Sequence, residues 1–472
     1  MEGMSMQNTQ DLVVIGGGIT GLTATYYLQE EIKRNDLPYR VQLLEASERL
    51  GGKINTLRKD GFIIERGADS FLGRKKQALE LVDKLGLTDE LVRNKVGQAY
   101  ILLQDQLHPI PEGSFMGIPT KLLPLLQTNL LSWRGKVRLM SDFLIAKGKE
   151  MEDQSLGYFL RRRLGNEVVD HIIEPLLSGV YSSDIDRMSI MSTFPNFYHL
   201  EQKQGSLIKG LRKSMPKKRR NTGKRPGQFF TFKQGLSRLP EELFNNIDDG
   251  TVSLHTKVKK VERKESYYKL YTSTGIIHSK ACLFTIPHKE VLSLFKNRHS
   301  FTELEEIPVS SVANVVFAFR KEDFTCKTDG TGFVVSRKGD YHITACTWTT
   351  EKWPHTTPAD YVLLRAYVGK PTEQGIVFLS DEEIIEKVMT DLKKVLPIQS
   401  EPLFHYVTRY THLMPQYTVG HKRRLSSLKQ SLEKELPGIF VAGSSYQGVG
   451  IPDCIEQAKN ASSEILKYLG EA

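Results

Sequence analysis

Gly16-x-Gly18-x-x-Gly21 and the later Glu45 are the residues whose types and spacing point most directly to chemistry. Glycines at this spacing, set between an apolar run and a segment of helical pattern, make a turn that receives a dinucleotide pyrophosphate. Gly16 permits the tight turn, Gly18 lets the phosphates approach the backbone, and Gly21 lets helix and strand pack closely. The phosphates then face free N–H groups and the positive end of a helix. Glu45 closes a second apolar run, Val41–Leu44, about 20 residues on, where an acid binds a ribose 2′-hydroxyl. An acid there, in place of an arginine, argues against a 2′-phosphate.

Two further glycine turns follow, Arg49-Leu-Gly51-Gly52-Lys53 and Arg66-Gly67-Ala68-Asp69-Ser70, on either side of a predicted strand over 61–65. A nicotinamide enzyme does not need them; a buried flavin dinucleotide held by several loops does. Near the other end, residues 438–443 read as a buried strand, followed by Gly448-Val-Gly-Ile-Pro-Asp453 and a helix from about Cys454. Pro452 suits a first helical turn, so a second helix N-terminus is aimed at the nucleotide fold. No Ser/His/Asp or paired-carboxylate signature is present. Cys282, Cys326, Cys346 and Cys454 are scattered, without C-x-x-C or Cys/His spacing, which implies no metal and a reducing compartment. His171 and His421 read as surface or supporting residues, and Trp348 and Trp353 as packing.

The elements that position these residues need more than one core, because 472 residues exceed a single domain. Residues 1–70 form the opening nucleotide-binding unit. From about 75 to 200 the pattern is helical, notably at 78–85 and 155–164. Between them the Leu/Pro-rich stretch 122–133, flanked by Lys121, Arg134 and Lys136, is either an interfacial element at a membrane surface or a cap segment packed on a neighbouring helix. Residues 251–287 read as a meander that includes separate strands at 276–278 and 281–285. Residues 309–370 give further strands, and a helix is predicted over 381–395, making a second, α+β region. The net charge of +10 would attract an anionic substrate, an acidic membrane or nucleic acid. The basic run Lys217–Arg220, with Lys224 and Arg225, has no interleaved aromatics and reads as a solvated loop, not a nucleic-acid patch. The polar first ten residues and the lack of an apolar run of about 18 residues predict no signal segment and no spanning helix, hence a cytoplasmic chain.

The glycine turns at both chain ends, with Glu45, Glu65-Arg66-Gly67 and Val441-Ala-Gly443, resemble the FAD-dependent amine oxidase and phytoene desaturase superfamily. Within it, residues 64–71, 174–181, 191–195, 414–417 and 448–453 are similar to the porphyrinogen oxidases of Gram-positive bacteria. The resemblance implies an α/β fold: a Rossmann-type FAD-binding domain of the GR2 kind, an α+β substrate domain and a helical cap that touches membranes in related enzymes. The implied limits are 1–74, 228–300 and 408–472 for the FAD domain, 75–96, 193–227 and 301–407 for the substrate domain, and 97–192 for the helical domain.

The resemblance also assigns residues. Gly16, Gly17, Gly18, Ile19, Thr20 and Gly21 would contact the pyrophosphate, and Glu45 and Ala46 the adenosine ribose. Val258 would meet the adenine through its backbone. Lys53, Gly67, Ala68, Asp69 and Ser70 would lie at the flavin end, and Gly448, Val449, Gly450 and Ile451 at the isoalloxazine ring. Ala68 stands where proline is common, and Tyr410 where a tryptophan usually lies near the flavin. Lys75 would receive a substrate carboxylate and Val180 would wall the pocket. The implied reaction is oxidation of coproporphyrinogen III to coproporphyrin III in haem biosynthesis. It takes three two-electron steps, with O₂ as acceptor and H₂O₂ as product, and the porphyrin could be handed to a chelatase. Alternatives are protoporphyrinogen IX as substrate, amine oxidation, which would need an aromatic cage that is not evident, or non-catalytic binding of the kind shown by guanine-nucleotide dissociation inhibitors of this fold.

Overall fold

Leu12, Val13 and Val14 are wholly buried, as a central parallel strand requires. In the computed structural model, which describes residues 9–95, 97–214, 227–296, 299–324, 330–337 and 339–471, the strand Thr9–Ile15 lies between Val41–Leu44 and Ile276–Phe284, parallel to both. This seven-stranded sheet continues outward through Val252–Ser253 on one side and through Tyr268–Thr272 and Val258–Arg263 on the other. The two strands expected at 276–278 and 281–285 are one. Its first half pairs antiparallel with Tyr268–Thr272 and its second half parallel with Ile439–Val441, so the ladder passes through Ser279 and Lys280 without a break. The helices Ile19–Arg34 and Ile451–Glu471 cover the same core, joined where Ser462 Oγ donates to the Ala24 carbonyl at 3.1 Å.

A second seven-stranded sheet runs Phe404–Pro415, Val309–Arg320, Tyr361–Val368, Ile343–Trp348, Gly330–Val335, Gln98–Leu103 and Gln106–Pro109. The sequence pattern predicts the middle four. Phe404–Pro415 is half-exposed along most of its length and shows no apolar alternation; its pairing with the 12-residue strand Val309–Arg320 creates it. It runs across the 407/408 limit and stays in this sheet throughout. Gln98–Leu103 and Gln106–Pro109, inside a region of helical pattern, form a hairpin that joins the same sheet. The helix Asp381–Val395 is closed at its start by a capping box of Ser380 and Glu383. The charged helix His421–Glu435, which the sequence pattern does not predict, packs back on the first sheet.

Between these, Leu156–Leu164, Glu174–Tyr181, Pro195–Gln204 and Leu207–Ser214 surround an apolar core. Ser155 caps the first of them by accepting from the Tyr158 N–H at 3.1 Å. The 122–133 stretch becomes two helices, Leu122–Gln127 and Trp133–Met140. Leu125, Leu130 and Leu131 are buried, whereas Leu123, Leu126 and Trp133 face outward. No helix among the described residues is long and apolar enough to cross a membrane. The basic run at 217–225 and Cys326 lie outside the described residues.

Candidate functional site

The first glycine turn is built as its spacing requires. Gly16 donates to the Leu44 carbonyl at 2.8 Å with a φ of +108°, and Thr285 Oγ1 donates to the Ile15 and Gly16 carbonyls at 2.9 Å. A Cβ on Gly21 would sit 1.8 Å from the Gly16 carbonyl oxygen, so helix and strand demand glycine there. Gly18 differs. Its φ of −72° suits any residue, and a Cβ on it would meet nothing nearer than Gly52 Cα at 3.9 Å. The chain itself therefore does not need a glycine at 18. A ligand that comes close to the backbone explains the missing side chain, and the pyrophosphate of FAD fits that description.

Gly51 donates to the Gly17 carbonyl at 2.9 Å, which sets the second glycine turn beside the first. Glu45 accepts from the Gly17 N–H at 2.6 Å and from Ser47 at 2.8 Å, with Ala46 beside it. Thr256 donates to the Glu45 carbonyl at 2.8 Å, bringing Val258, the first residue of its strand, to the same end. Ile19 and Thr20 open the helix that points at this turn.

At the far end, side chains of the second sheet hold the loop at 66–70. Asn314 donates to the Arg66 carbonyl at 2.7 Å, Tyr410 donates to the same carbonyl at 3.2 Å, and Arg365 donates to the Gly67 carbonyl. These residues sit on three neighbouring strands. The phenol of Tyr410 is thus anchored by a backbone oxygen. The Asp69 side chain is occupied by Lys352 at 2.7 Å, Trp353 Nε1 at 3.3 Å and Ser70 Oγ at 2.6 Å. The loop backbone is partly used as well, the Gly67 carbonyl by Arg365 and the Ala68 N–H by the Lys53 carbonyl at 3.3 Å. Burial alone would raise the pKa of Asp69, but Lys352 and Arg365 outweigh it and hold the carboxyl well below its usual range. Burial pushes nearby Glu65 up to about 7 against the hydrogen bonds from Leu236 and Thr56. Lys53 is half-buried, its desolvation lowers its pKa, and it donates to the Leu413 carbonyl at 2.5 Å and Ser444 Oγ at 3.3 Å.

The segment from Gly443 to Ile451 closes the site. Gln457 Oε1, one turn into the last helix, accepts from the Gly443 N–H at 3.1 Å and the Gln447 N–H at 3.3 Å. Tyr417 donates to the Ser444 carbonyl at 2.6 Å and accepts from the Gly448 N–H at 2.8 Å. His421, stacked on Tyr417 at 4.2 Å, bonds the Tyr446 carbonyl through Nε2 at 2.7 Å. His288 bonds the Ile307 carbonyl through Nε2 and meets Ser445 Oγ through Nδ1, each at 3.1 Å. Since a carbonyl only accepts, both Nε2 atoms carry the proton. Burial lowers both histidines to about 4, so they are neutral. Val449, Gly450 and Ile451 lead into the helix N-terminus, where Cys454 donates to the Gly450 carbonyl at 3.0 Å.

Lys75 stands immediately before the helix Lys76–Lys84, without capping it through its side chain, and pairs with Asp453, in the first turn of the last helix. Val180 lies on the helix Glu174–Tyr181, but its side chain is outside the described residues. Trp348 is buried in the second sheet and Trp353 is turned to Asp69. His171 bonds the Leu130 carbonyl at 2.8 Å, away from the glycine turns. The glycine turns, Glu45, Lys53 and Tyr410 are therefore brought together. Asn314, Arg365, Lys352, Tyr417, His288 and the pairing of Asp453 were not foreseen, because none carries a local signature.

A family model described as flavin containing amine oxidoreductase matches residues 19–466. A coproporphyrinogen III oxidase of Bacillus subtilis is 49% identical over 461 residues, covering 97% of this chain and 98% of its own. The coproporphyrinogen III oxidase of Staphylococcus aureus is 41% identical over 470 residues, covering 98% and 100%. A crystal structure of an Exiguobacterium sp. 255-15 protein, assigned as a protoporphyrinogen oxidase, superposes with a TM-score of 0.88 at 40% identity, covering 98% and 99%.

Proposed function

Since this chain belongs to the flavin-containing amine oxidoreductase family, we propose that it oxidises coproporphyrinogen III to coproporphyrin III with FAD and O₂. The observation that carries this reading is near full-length likeness to coproporphyrinogen III oxidases, joined to a glycine turn in which the open space at Gly18 is not required by the chain itself. Bound there, FAD supplies a two-electron acceptor. The protein's share is to bind, orient and exclude water.

Conversion of a porphyrinogen to a porphyrin removes six hydrogens, so three O₂ become three H₂O₂. In the turn Gly16–Gly21 the N–H groups of Gly16 and Gly17 are taken by Leu44 and Glu45, so those of Gly18, Ile19, Thr20 and Gly21 would hold the pyrophosphate, Glu45 the ribose, and Ala46 and Val258 the adenosine side. Lys53, the 67–70 backbone, Tyr410 and Gly448–Ile451 surround the ring end. The N-terminus of Ile451–Glu471 would turn its positive end to the ring end of FAD and favour negative charge there. Lys75 receives a propionate and Val180 walls the pocket. Pyrrole N–H protons leave by tautomerisation, so no dedicated base is needed. In this reading the protein works in the cytoplasm, with the outward-facing Leu123, Leu126, Trp133 and Val137, beside Lys121 and Lys136, resting on a membrane surface. The porphyrin passes on to a chelatase.

The test is oxygen-dependent appearance of porphyrin fluorescence with coproporphyrinogen III and protoporphyrinogen IX in parallel. FAD-loaded protein should turn over both or the first alone, with the higher kcat/KM on coproporphyrinogen. Preference for protoporphyrinogen would overturn the substrate assignment, and no porphyrin from either would overturn the reaction.

A further inference from the structure

We propose that Asp453 is a positioning residue for Lys75, fixing its ammonium at the mouth of the last helix so that a substrate carboxylate meets a preset cation. This rests on the reading above that Lys75 receives a propionate. Lys75 belongs to a run of three cations, Arg74-Lys75-Lys76, and its neighbour Arg74 lies over the Phe115 ring at 5.5 Å. Lys75 instead reaches 378 residues along the chain to Asp453.

The acid at the receiving end has a built seat. An acidic side chain in a first helical turn is favoured by the helix's positive end. The turn before it is cut away to make room: a Cβ on Gly448 would lie 2.7 Å from Asp453 Cβ, and one on Gly450 would lie 2.8 Å from its Oδ2. These two glycines thus accommodate the carboxylate as well as closing the site. The Asp453 side chain is only 18% exposed, whereas that of Lys75 is 42% exposed. One end of the pair is held by the fold and the other stays open to solvent. An ammonium has three N–H donors, so binding Oδ1 leaves others for an incoming carboxylate.

Whether Asp453 helps the substrate or competes with it is a question of magnitude. The small net stability of a half-exposed ion pair is what remains after the lysine's torsions have been fixed, so Asp453 competes only weakly for the ammonium while having already met the entropy of ordering it. Pre-ordering therefore outweighs competition, and removing the acid should weaken substrate binding.

The test uses FAD-loaded wild-type protein, K75M, D453N, D453E and the K75M/D453N double variant. Equilibrium binding of coproporphyrin III is followed by its fluorescence, with its uncharged tetramethyl ester as control, alongside KM and kcat for coproporphyrinogen. K75M and D453N should each weaken coproporphyrin III binding about tenfold, and the double variant should be no weaker than K75M. The ester should bind all forms equally, D453E should recover most of the loss, and D453N should raise KM more than it lowers kcat. Unchanged or tighter binding by D453N, additive losses, or equal weakening of the ester would overturn the proposal. So would loss of FAD absorbance in D453N but not in K75M, since Asp453 would then serve the glycine turn instead. Should D453N fail to fold, Asp453→Ser, which keeps an oxygen in the first helical turn, must give the same result. If K75M itself binds like wild type, the propionate role of Lys75 falls and this proposal with it; an effect of K75M alone removes only the proposal.

Discussion

At the first glycine turn the Gly17 N–H meets Glu45 across 28 residues, whereas at the loop 66–70 Arg365 reaches the Gly67 carbonyl across 298 residues. The first end is backbone: glycines, free N–H groups and one carboxylate, assembled from neighbouring stretches of the first sheet. The second is made of buried side chains that the second sheet sends across to the loop at 66–70, balanced by Asp69, Glu65 and Lys352. Backbone sites tolerate change wherever space exists, while buried charges tolerate none that unbalances them. The two ends should therefore fail in different ways.

The largest effect is expected from Arg365→Met. It removes the donor to Gly67 and leaves Asp69 and Glu65 with one cation fewer, at a cost of about 3–5 kcal/mol for an uncompensated buried charge. Urea unfolding together with FAD retention on gel filtration measures it; a loss under 1 kcal/mol would mean that the two ends do not differ.

Next is Gly21→Ala, whose methyl group would collide with the Gly16 carbonyl. About 3 kcal/mol of overpacking is expected at this backbone contact, read as a lower Tm even without FAD.

Acid should open the closing segment. In the unfolded chain a histidine takes its proton near 6.5, but His288 and His421 do so in the folded chain only at about 4. Between these values the unfolded chain binds more protons, so stability falls as pH drops from 6.5 towards 4 and is unaffected above that range. At pH 5 this amounts to about 2 kcal/mol for each histidine. Because Glu65, which holds its proton up to about 7, acts in the opposite sense over the same range, the effect is read as the difference between wild-type and His421→Gln melting curves at pH 7.5 and pH 5.

The smallest effect on the fold is predicted for Gly18→Ala, within about 0.5 kcal/mol, yet its affinity for FAD should drop sharply. Equal loss of stability and affinity would contradict the view that the space at Gly18 belongs to a ligand.

How much of this could be read in advance follows from the same division. The first turn, Val41–Leu44 with Glu45, the strand Tyr361–Val368 and the helix Asp381–Val395 were all legible, because apolar runs, glycine spacing and capping residues lie within a few turns of one another. Phe404–Pro415 was not, since its residues are mixed in polarity and it becomes a strand only by pairing with Val309–Arg320. The anchor of Tyr410 and the roles of Asn314 and His288 were equally hidden. A lone asparagine or histidine acquires a role only from the carbonyl it meets.

The linear chain was thus enough to define the first glycine turn, because glycine conformation, helix polarity and a carboxylate at the end of a strand are local properties that need no distant partner. Only the folded chain decided what holds the loop at 66–70, how Asp69 is neutralised and which acid pairs with Lys75. Those contacts join segments hundreds of residues apart, and their strength comes from burial between two sheets, which sequence spacing does not encode.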